Sequence, residues 1–470
     1  MYEDLADFSV EYLQKRGASY VEARLEDSLG NSVVLKNGIP QISEFSHVNG
    51  IGIRFILKDA LGFVSTNRLN KEKIKEILEK GIRTTRKSLS ISEKTELAGE
   101  EPHNLKYEIK QKTNLEGISA EERVSLLLDA ERELDKLKIK LPARFLQLSD
   151  NTTKEYLVTS EGTKITSIVP KVSFFYYITI SENNKTAQRY WQYGGSGGWE
   201  IAKSWNIKEI LCNEAKAMQK NLKFGIKAPK EDVDIIVAPQ VTGIMVHESA
   251  GHPYEADRIF GREAAQAGES FVTEDMIGYQ IGSDIVNVVD DPTIENSYGF
   301  FLYDNEGVKA RRKYIIKDGK INEFMHNRET AVCMGLKSNG SSRAVDYDKE
   351  SIVRMSNTFM LPGDCSEEEL IKDTKKGVYI KNFMEWNIDD KRLNQKYVGA
   401  EAYMIRNGEI KEPVINPTIE TSSLKLYKAI VAVANNVEHH AGNCGKGEPM
   451  QAIPVWFGGP SLKFKGLRLK

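Results

Sequence analysis

The sequence contains little of what would mark a secreted, membrane-spanning or nucleic-acid-binding protein. Cysteine is scarce, with 4 residues among 470, and no two of them form a C-x-x-C pair, which excludes a disulfide framework. The longest apolar runs, such as residues 429–434, are far too short to span a bilayer. The formal net charge is only −2, which argues against electrostatic binding of nucleic acid phosphates as the main activity.

The amino-terminal segment has neither the positively charged start nor the continuous apolar core that a secretory signal needs. It carries Glu3, Asp4 and Asp7 and is typical of a short amphipathic helix. Hydrophobic residues make up 40% of the chain and charged residues 28%, a balance typical of soluble globular proteins. We therefore expect a soluble, cytoplasmic protein that does not use a membrane.

Turn dipeptides that contain glycine separate strand-like runs at three places and predict β-hairpins. They are Asn37-Gly38, Asp318-Gly319 and Asn407-Gly408. Helices are predicted after Ser119 and Ser366, each of which is followed by a glutamate three positions later, as in a capping box. A longer helix is predicted after Gly198. The expected fold class is α+β, with mostly antiparallel sheets, flanking helices and two lobes.

The length of 470 residues exceeds the size at which single cores usually stop growing, so more than one domain is expected. Residues 223–234 carry glycine, proline and a change of charge sign just before a predicted strand. We place the main boundary there, which gives an amino-terminal α+β domain over 1–222 and a carboxy-terminal domain over 223–470. The charged residues 90–117 are predicted to form a linker or a solvated excursion within the first domain.

The most informative segment places His247, Glu248 and His252 in the pattern H-E-x-x-x-H. Pro239 suits the first turn of a helix that would carry them. In a regular α-helix a separation of five residues turns the second histidine about 140° away from the first. A π-bulge, or a turn loosened at Gly251, would restore a shared face. The spacing therefore predicts a metal site only together with a local distortion of the helix.

These residue types suit hydrolysis assisted by a metal. Neutral imidazoles bind zinc, and a catalytic zinc site uses three protein ligands and an open position. Glu248 is the natural general base for the attacking water, whereas Glu255 would orient an imidazole. A third ligand is required, and the segment NNVEHHAGNCGKGEPM offers Cys444 between glycines, with His439 and His440 upstream. The glycines are expected to let the backbone turn tightly at the thiol.

The sequence resembles the TldD branch of the TldD/PmbA family. The resemblance rests on the segment HESAGH that begins at His247, on RMSNT at residues 354–358 and on GNCGK at residues 442–446. It covers the second half of the chain closely. The first half is matched more loosely, through GIGIR at residues 50–54 and the glycine-rich GGSGG at residues 194–198, which composition predicts to be a flexible loop.

The resemblance implies a metallopeptidase domain over residues 223–470. In that family two histidines and a cysteine bind Zn²⁺ and the intervening glutamate is catalytic, which here means His247, His252, Cys444 and Glu248. The resemblance also implies short or unfolded peptides as substrates. Dimers are implied as well, either homodimers or heterodimers with a metal-less TldE/PmbA paralogue.

Two other functions are compatible with the same residues. The chain could be a regulatory or binding protein, for example a modulator of gyrase or of a toxin system, with a structural metal or none. A closed structural site needs a fourth protein ligand, which His439 or His440 could supply. The third alternative is hydrolysis of a non-peptide amide at the same metal centre.

Overall fold

The first half of the chain builds one sheet of long strands, seen in a computed structural model that describes residues 2–263 and 268–470. Its strands are β1 (Tyr20–Lys36), β2 (Ile39–Leu57), β3 (Ala60–Thr66), β4 (Asn104–Glu108), β5 (Ala143–Thr159), β6 (Lys164–Glu182) and β7 (Lys185–Ser196). The order is β3-β2-β1-β5-β6, and both β4 and β7 pair with the far edge of β6. All pairings are antiparallel except that of β4 with β6.

Helices cover this sheet because each has one apolar side that needs burial. They are α1 (Glu3–Lys15), α2 (Lys71–Ser88), α3 (Ala120–Lys136), α4 (Trp199–Ser204) and α5 (Ile207–Phe224). The single long helix predicted after Gly198 is wrong. Trp205 adopts an extended conformation and ends α4, and α5 then begins a new apolar side that buries Ile207 and Leu211.

The second half consists of shorter strands. They are β8 (Ile226–Lys227), β9 (Asp234–Val237), β10 (Val288–Asp290), β11 (Lys313–Lys317), β12 (Lys320–Ile321), β13 (Ser342–Arg343), β14 (Ile352–Val353), β15 (Asn357–Met360), β16 (Lys376–Ile380), β17 (Phe383–Ile388), β18 (Asn394–Gly399), β19 (Ala402–Arg406), β20 (Glu409–Ile415), β21 (Thr418–Ser422), β22 (Ile430–Val433), β23 (Glu438–Lys446), β24 (Gln451–Gly459) and β25 (Leu462–Phe464). The helices are α6 (Pro239–Val246), α7 (Ala256–Ile259), α8 (Arg328–Cys333), α9 (Glu367–Lys372) and α10 (Ser423–Lys428).

Three sheets contain most of these strands and position the site, while β13 and β14 pair with each other separately. One sheet has the order β22-β25-β9-β16-β19-β20-β8, the second β12-β11-β10-β15-β24-β23, and the third β17-β18-β21. The strand β9 feeds directly into α6, which packs against β24. The sheets are mostly antiparallel with flanking helices, which confirms the predicted α+β class.

The three predicted hairpins are present. β1 and β2, β11 and β12, and β19 and β20 are each joined by the expected dipeptide, with the flanking residues paired across the turn. In each turn both residues have positive φ, for example 51° at Asn37 and 76° at Gly38. Ser119 and Ser366 cap α3 and α9 as predicted, since each side chain accepts a hydrogen bond from the backbone N–H of the glutamate three positions later.

The division of the chain near residue 222 stays a prediction. One continuous hydrophobic cluster contains Leu211 and Met218 of α5 together with Ile235 and Val237 of β9, so apolar packing crosses the proposed boundary. The polar residues 90–117 contribute β4 to the first sheet. None of the helices in the described ranges combines the length and the apolar character needed to cross a bilayer.

Candidate metal centre

The histidine pair lies where a regular helix changes into a wider one. Pro239 occupies the start of α6, and the backbone continues without a break into a π-helical turn over His247–Gly251. A short 3₁₀ turn, His252–Tyr254, follows. The π turn inserts one residue relative to α-helical spacing, which is the distortion that the sequence spacing requires. The predicted bulge is therefore confirmed.

Close packing around Gly251 requires a residue without a side chain at this turn. A Cβ atom on this residue would lie 1.9 Å from the sulfur of Met355, so a side chain does not fit without displacement of the core. The opposite side of the turn is fastened by Ser249, whose hydroxyl donates to the Met245 carbonyl at 2.5 Å and lies 2.8 Å from the Tyr427 hydroxyl. The turn is thus held by contacts on both sides.

The third predicted ligand comes from a different element. Cys444 lies within β23 and pairs with Ile453 of β24, so the expectation of a tight turn at the thiol is wrong. The chain turns later, at Gly447, where φ is 89°. The Sγ atom of Cys444 lies 3.2 Å from Nε2 of His252, and the two imidazole centroids are 5.0 Å apart.

Together His247, His252 and Cys444 form a buried group whose ligand atoms all lie within 4.8 Å of one another. Burial disfavours the thiolate, but the imidazoles of His252 and His247 outweigh it and hold the pKa of Cys444 well below its ordinary value. Burial likewise opposes a charged imidazolium, yet the Cys444 sulfur and the neighbouring carboxylates raise the pKa of His247. The electrostatics therefore favour a thiolate at this position.

A second layer of charged groups orients His252. Its Nδ1 atom lies 3.0 Å from Oε2 of Glu255, which leaves Nε2 directed at Cys444. The ammonium of Lys446 contacts Glu255 at 3.2 Å and donates to Asp257 at 2.6 Å. Burial works against the charge of Glu255, but Lys446 and His252 hold its pKa well below the usual range. An anionic carboxylate thus fixes the ring orientation, as ligating histidines commonly require.

The carboxylate of Glu248 has two donors that no pattern in the sequence indicates. Trp386 Nε1 donates to Oε1 at 3.2 Å, and Arg392 Nη1 donates to Oε2 at 2.9 Å. Both donors come from the hairpin formed by β17 and β18. Glu248 therefore lies beside the ligand group with each oxygen occupied by one protein donor.

An open cavity of about 340 Å³ gives access to these groups. Its lining includes His247, Glu248, His252 and Cys444 together with aromatic side chains such as Trp386 and Phe457. A cavity of this size with an apolar wall and a few convergent polar groups is typical of a ligand site.

His439 and His440 do not join the ligand group. The ring of His439 stacks on Trp456 with centroids 5.2 Å apart, and His440 packs edge-on against Trp191 at 5.4 Å. The residues 194–198 are buried, and the first three complete β7, so the interpretation of GGSGG as a flexible loop is wrong.

The donor set fits a zinc ion. Two imidazoles and one thiolate match the ligand preferences of Zn²⁺, and the low pKa of Cys444 supplies the required thiolate. The Nδ1 atom of His247 is buried and has no hydrogen-bond partner within the described ranges. Three protein ligands, with no fourth in the group among the residues that the structure describes, leave room for a water molecule or a substrate.

Family models match most of the chain, and known relatives are similar to it over nearly its whole length. The PmbA/TldA metallopeptidase C-terminal domain matches residues 230–470, domain 1 matches residues 21–85, and the central domain matches residues 113–220. A metalloprotease of Methanocaldococcus jannaschii is 31% identical over 94% of this chain and 95% of its own length. A zinc metalloprotease TldD homologue of Saccharolobus solfataricus is 25% identical over 97% of both chains.

Solved structures share the fold at low sequence identity. A protein of Thermotoga maritima, named as a candidate modulator of a DNA gyrase, has a TM-score of 0.79 and 19% identity over the full length of both chains. TldE from Thermococcus kodakarensis has a TM-score of 0.77 and 16% identity over 99% of both chains. The family models together match most of the chain, and the relatives match nearly all of it. The chain therefore belongs to the PmbA/TldD family of metallopeptidases and is a hydrolase of peptide bonds.

Proposed function

We propose that this protein is a zinc-dependent peptidase in which His247, His252 and Cys444 hold the ion and Glu248 is the general base. The observation that carries the proposal is the convergence of three ligand atoms within 4.8 Å beside a carboxylate that lines the same cavity. His247 begins the π turn, His252 directly follows it, and Cys444 is brought in by a separate strand.

We assign the following roles in the reaction to the residues of the chain. A bound zinc ion acidifies water and polarises a carbonyl. Glu248 accepts the proton of the attacking water and later delivers it to the amine that leaves. Trp386 and Arg392 keep the carboxylate pointed into the cavity. Glu255 keeps His252 in one tautomer and orientation.

An extended backbone is the substrate form that the site favours. The strand that carries Cys444, β23, ends its sheet and pairs only with β24 among the described strands. Its outer edge offers backbone donors and acceptors with which an unfolded peptide could pair as an added strand. We infer short or unfolded peptides of broad sequence as substrates. Equal cleavage rates for a folded domain and for its unfolded form would contradict this inference.

We further propose that the chain acts as a dimer, either with a second copy or with a metal-less TldE/PmbA paralogue. The similarity to TldE from Thermococcus kodakarensis supports a common fold for the two branches, which is what a pseudo-symmetric heterodimer requires. Sedimentation or light scattering of the chain alone, and of an equimolar mixture with such a paralogue, distinguishes the two assemblies.

The alternative regulatory function, with a structural metal, would require a different number of protein ligands. A purely structural zinc site is closed by four protein ligands. The group in the described part of the chain has three, and its surroundings place a carboxylate and an open cavity at the vacant side. This arrangement favours catalysis over a structural role for the metal.

Two substitutions test the proposal on the purified, zinc-loaded chain with an unstructured peptide that carries a fluorophore and a quencher. Glu248→Gln should retain zinc and lose at least about 10³-fold in kcat, because the base is lost and the ligands remain. His247→Ala should lose both zinc and hydrolysis. Zinc content is read by elemental analysis in both variants. Undiminished turnover by zinc-loaded Glu248→Gln would refute the role assigned to Glu248.

The same assay separates the peptidase from its alternatives. The wild-type chain is measured alone and mixed with a metal-less paralogue, since either assembly is compatible with the site. If the chain binds one zinc ion but hydrolyses no peptide, either alone or mixed with the paralogue, the result would favour a regulatory protein. Hydrolysis of a simple amide with no hydrolysis of peptides would favour the non-peptide alternative.

A further inference from the structure

One arginine enters the metal cavity from a hairpin that carries none of the proposed ligands. Arg392 lies at the turn between β17 and β18, and it lines the cavity together with the ligand group. Its guanidinium is 2.9 Å from Glu248, and the side chain is only 9% exposed. The preceding residue, Lys391, has a side chain that is 60% exposed and pairs with Glu269 on the surface.

The backbone of Arg392 is held in an unfavourable conformation. Its φ is 61°, in the left-handed region that side chains other than glycine rarely adopt. Its N–H donates to the carbonyl of Asp389 at 2.9 Å, and its own carbonyl accepts from the hydroxyl of Ser423 at 2.7 Å. Strained residues that are fixed from both sides concentrate at functional sites. This backbone conformation places the buried guanidinium of Arg392 against Glu248, the proposed base.

We propose that Arg392 is a catalytic residue whose guanidinium stabilises the negative charge that forms on the substrate carbonyl oxygen. This inference rests on the proposed function and adds to it a charged group that the ligand pattern does not include. The supporting observation is geometric: the guanidinium, the base and the ligand group line the same cavity.

The negative charge moves from Glu248 to the substrate and back during one turnover. Before reaction, the carboxylate of Glu248 neutralises Arg392. When water attacks, its oxygen bonds to the carbonyl carbon, the π electron pair moves to the carbonyl oxygen, and the water proton passes to Glu248. Glu248 is then neutral, and the guanidinium of Arg392 is attracted to the new oxyanion instead of to Glu248. An interaction that strengthens as the charge moves accelerates the chemical step.

The second half of the turnover restores the pair. Glu248 gives its proton to the amide nitrogen, the C–N bond breaks, and the oxyanion re-forms a carbonyl in the product acid. Glu248 is again a carboxylate and again pairs with Arg392. The overall reaction consumes one peptide bond and one water molecule, and it needs no further reactant.

Trp386 provides a comparison because it donates to the other oxygen of Glu248 without carrying a charge. It acts through Glu248 and is a positioning residue. Trp386→Phe removes a hydrogen bond and leaves the cation in place. A loss that is specific to the charge should therefore appear in Arg392→Met and not in Trp386→Phe.

The experiment compares Arg392→Met, Arg392→Lys and Trp386→Phe with the exposed control Lys391→Met, all loaded with zinc. For each, kcat and KM are measured with the quenched peptide, and the binding of a phosphinic peptide, a tetrahedral anion, is measured by calorimetry. Arg392→Met should lose about 10²- to 10³-fold in kcat and a similar factor in phosphinic affinity, with KM changed by less than about threefold. Lys391→Met should match the wild type.

The other variants make the result decisive. Arg392→Lys keeps a cation without the planar fork, so it should lose about tenfold in both kcat and phosphinic affinity. Trp386→Phe should lose kcat without a matching loss of phosphinic affinity. If Arg392→Met does not fold, as judged by its melting curve, Arg392→Lys carries the test.

Three outcomes would overturn the inference. They are unchanged kcat in a folded Arg392→Met, unchanged kcat and phosphinic affinity in Arg392→Lys, and equal losses of phosphinic affinity in Arg392→Met and Trp386→Phe. Failure of the zinc-loaded wild type to hydrolyse the peptide is a separate result, because it refutes the proposed function itself.

Discussion

At the scale of single residues, the buried cation Lys446 lies next to the ligand group of His247, His252 and Cys444 and pairs with the carboxylates around it. It is two positions from Cys444 and contacts Glu255, which in turn contacts His252. It also pairs with Asp257 and Glu263, at 2.6 Å and 3.6 Å. One ammonium therefore contacts three carboxylates in a buried region, where Arg258 supplies a second cation 3.3 Å from Glu255. Removal of one member of such a buried network leaves the others uncompensated.

We predict that Lys446→Met lowers the affinity for zinc by about 10- to 100-fold and the free energy of unfolding by about 3–5 kcal/mol. Without Lys446, Glu255 loses the largest of the charges that keep it ionised beside His252, and Arg258 remains at 3.3 Å. Zinc affinity is measured by competition with a chelator, and the free energy of unfolding by urea titration.

The matched control for this substitution is Lys463→Met. Lys463 is also a buried lysine, 3% exposed, and it pairs with Asp234 and Asp373, but it contacts no member of the metal group. We expect this variant to lose stability and to keep wild-type zinc affinity. Equal zinc affinities in the two variants would show that Lys446 has no influence on the ligands.

At the scale of elements, the π turn decides whether two histidines five residues apart can share one ion. The turn places His252 beside Cys444, and Gly251 allows the core residue Met355 to pack against its backbone. An added methyl group must displace either Met355 or the turn itself. Because His247 begins the turn and His252 directly follows it, we expect the geometry of the turn and metal binding to be coupled.

We predict that Gly251→Ala lowers the free energy of unfolding by about 1–3 kcal/mol and weakens zinc binding, because the new Cβ would overlap the sulfur of Met355. Gly99→Ala is the matched control, since a Cβ there meets nothing within 4 Å. Urea titration and chelator competition measure the two effects. Combined with Met355→Ala, the loss from Gly251→Ala should shrink, and strict additivity of the two losses would contradict the proposed clash.

Features that depend on residues close together in the sequence could be predicted from it. The turn at Asn37-Gly38 needs only two residues with positive φ, and the π turn follows from the distance between His247 and His252. The contacts of Glu248 were not accessible, because Trp386 lies 138 positions away and Arg392 lies 144 positions away. No spacing rule connects residues whose proximity is set by the packing of three sheets.

The wrong predictions also concern features that depend on contacts between distant residues. The glycines beside Cys444 suggested a turn because glycine permits one, yet Gly442 and Gly445 lie in β23. A Cβ on Gly442 would lie 3.0 Å from the ring of Phe457, and one on Gly445 would lie 3.0 Å from the sulfur of Met450. Their small size thus serves close packing across the hairpin. Composition alone does not distinguish these two uses of glycine.

At the scale of the whole molecule, the cavity around the metal group continues into a polar trough on the first sheet. The trough has a volume of about 690 Å³ and shares Phe175, Gln192 and Asn443 with the cavity. Its floor is made of small hydroxyl and amide side chains from four strands, among them Ser32, Ser46, Ser149, Asn151 and Ser173. The first half of the chain therefore offers a surface for the part of a substrate that lies beyond the scissile bond.

We predict that Ser173→Trp, which fills the trough, raises KM for a long unstructured peptide by at least about tenfold, since contacts distant from the reacting atoms contribute to binding. A short peptide that occupies only the metal cavity should keep its KM, because His247, Cys444 and Glu248 are untouched. Ser181→Trp lies on the same strand outside the trough lining and is the control. A uniform loss with both peptides would indicate distortion of the fold, and unchanged KM with the long peptide would place the substrate on another surface.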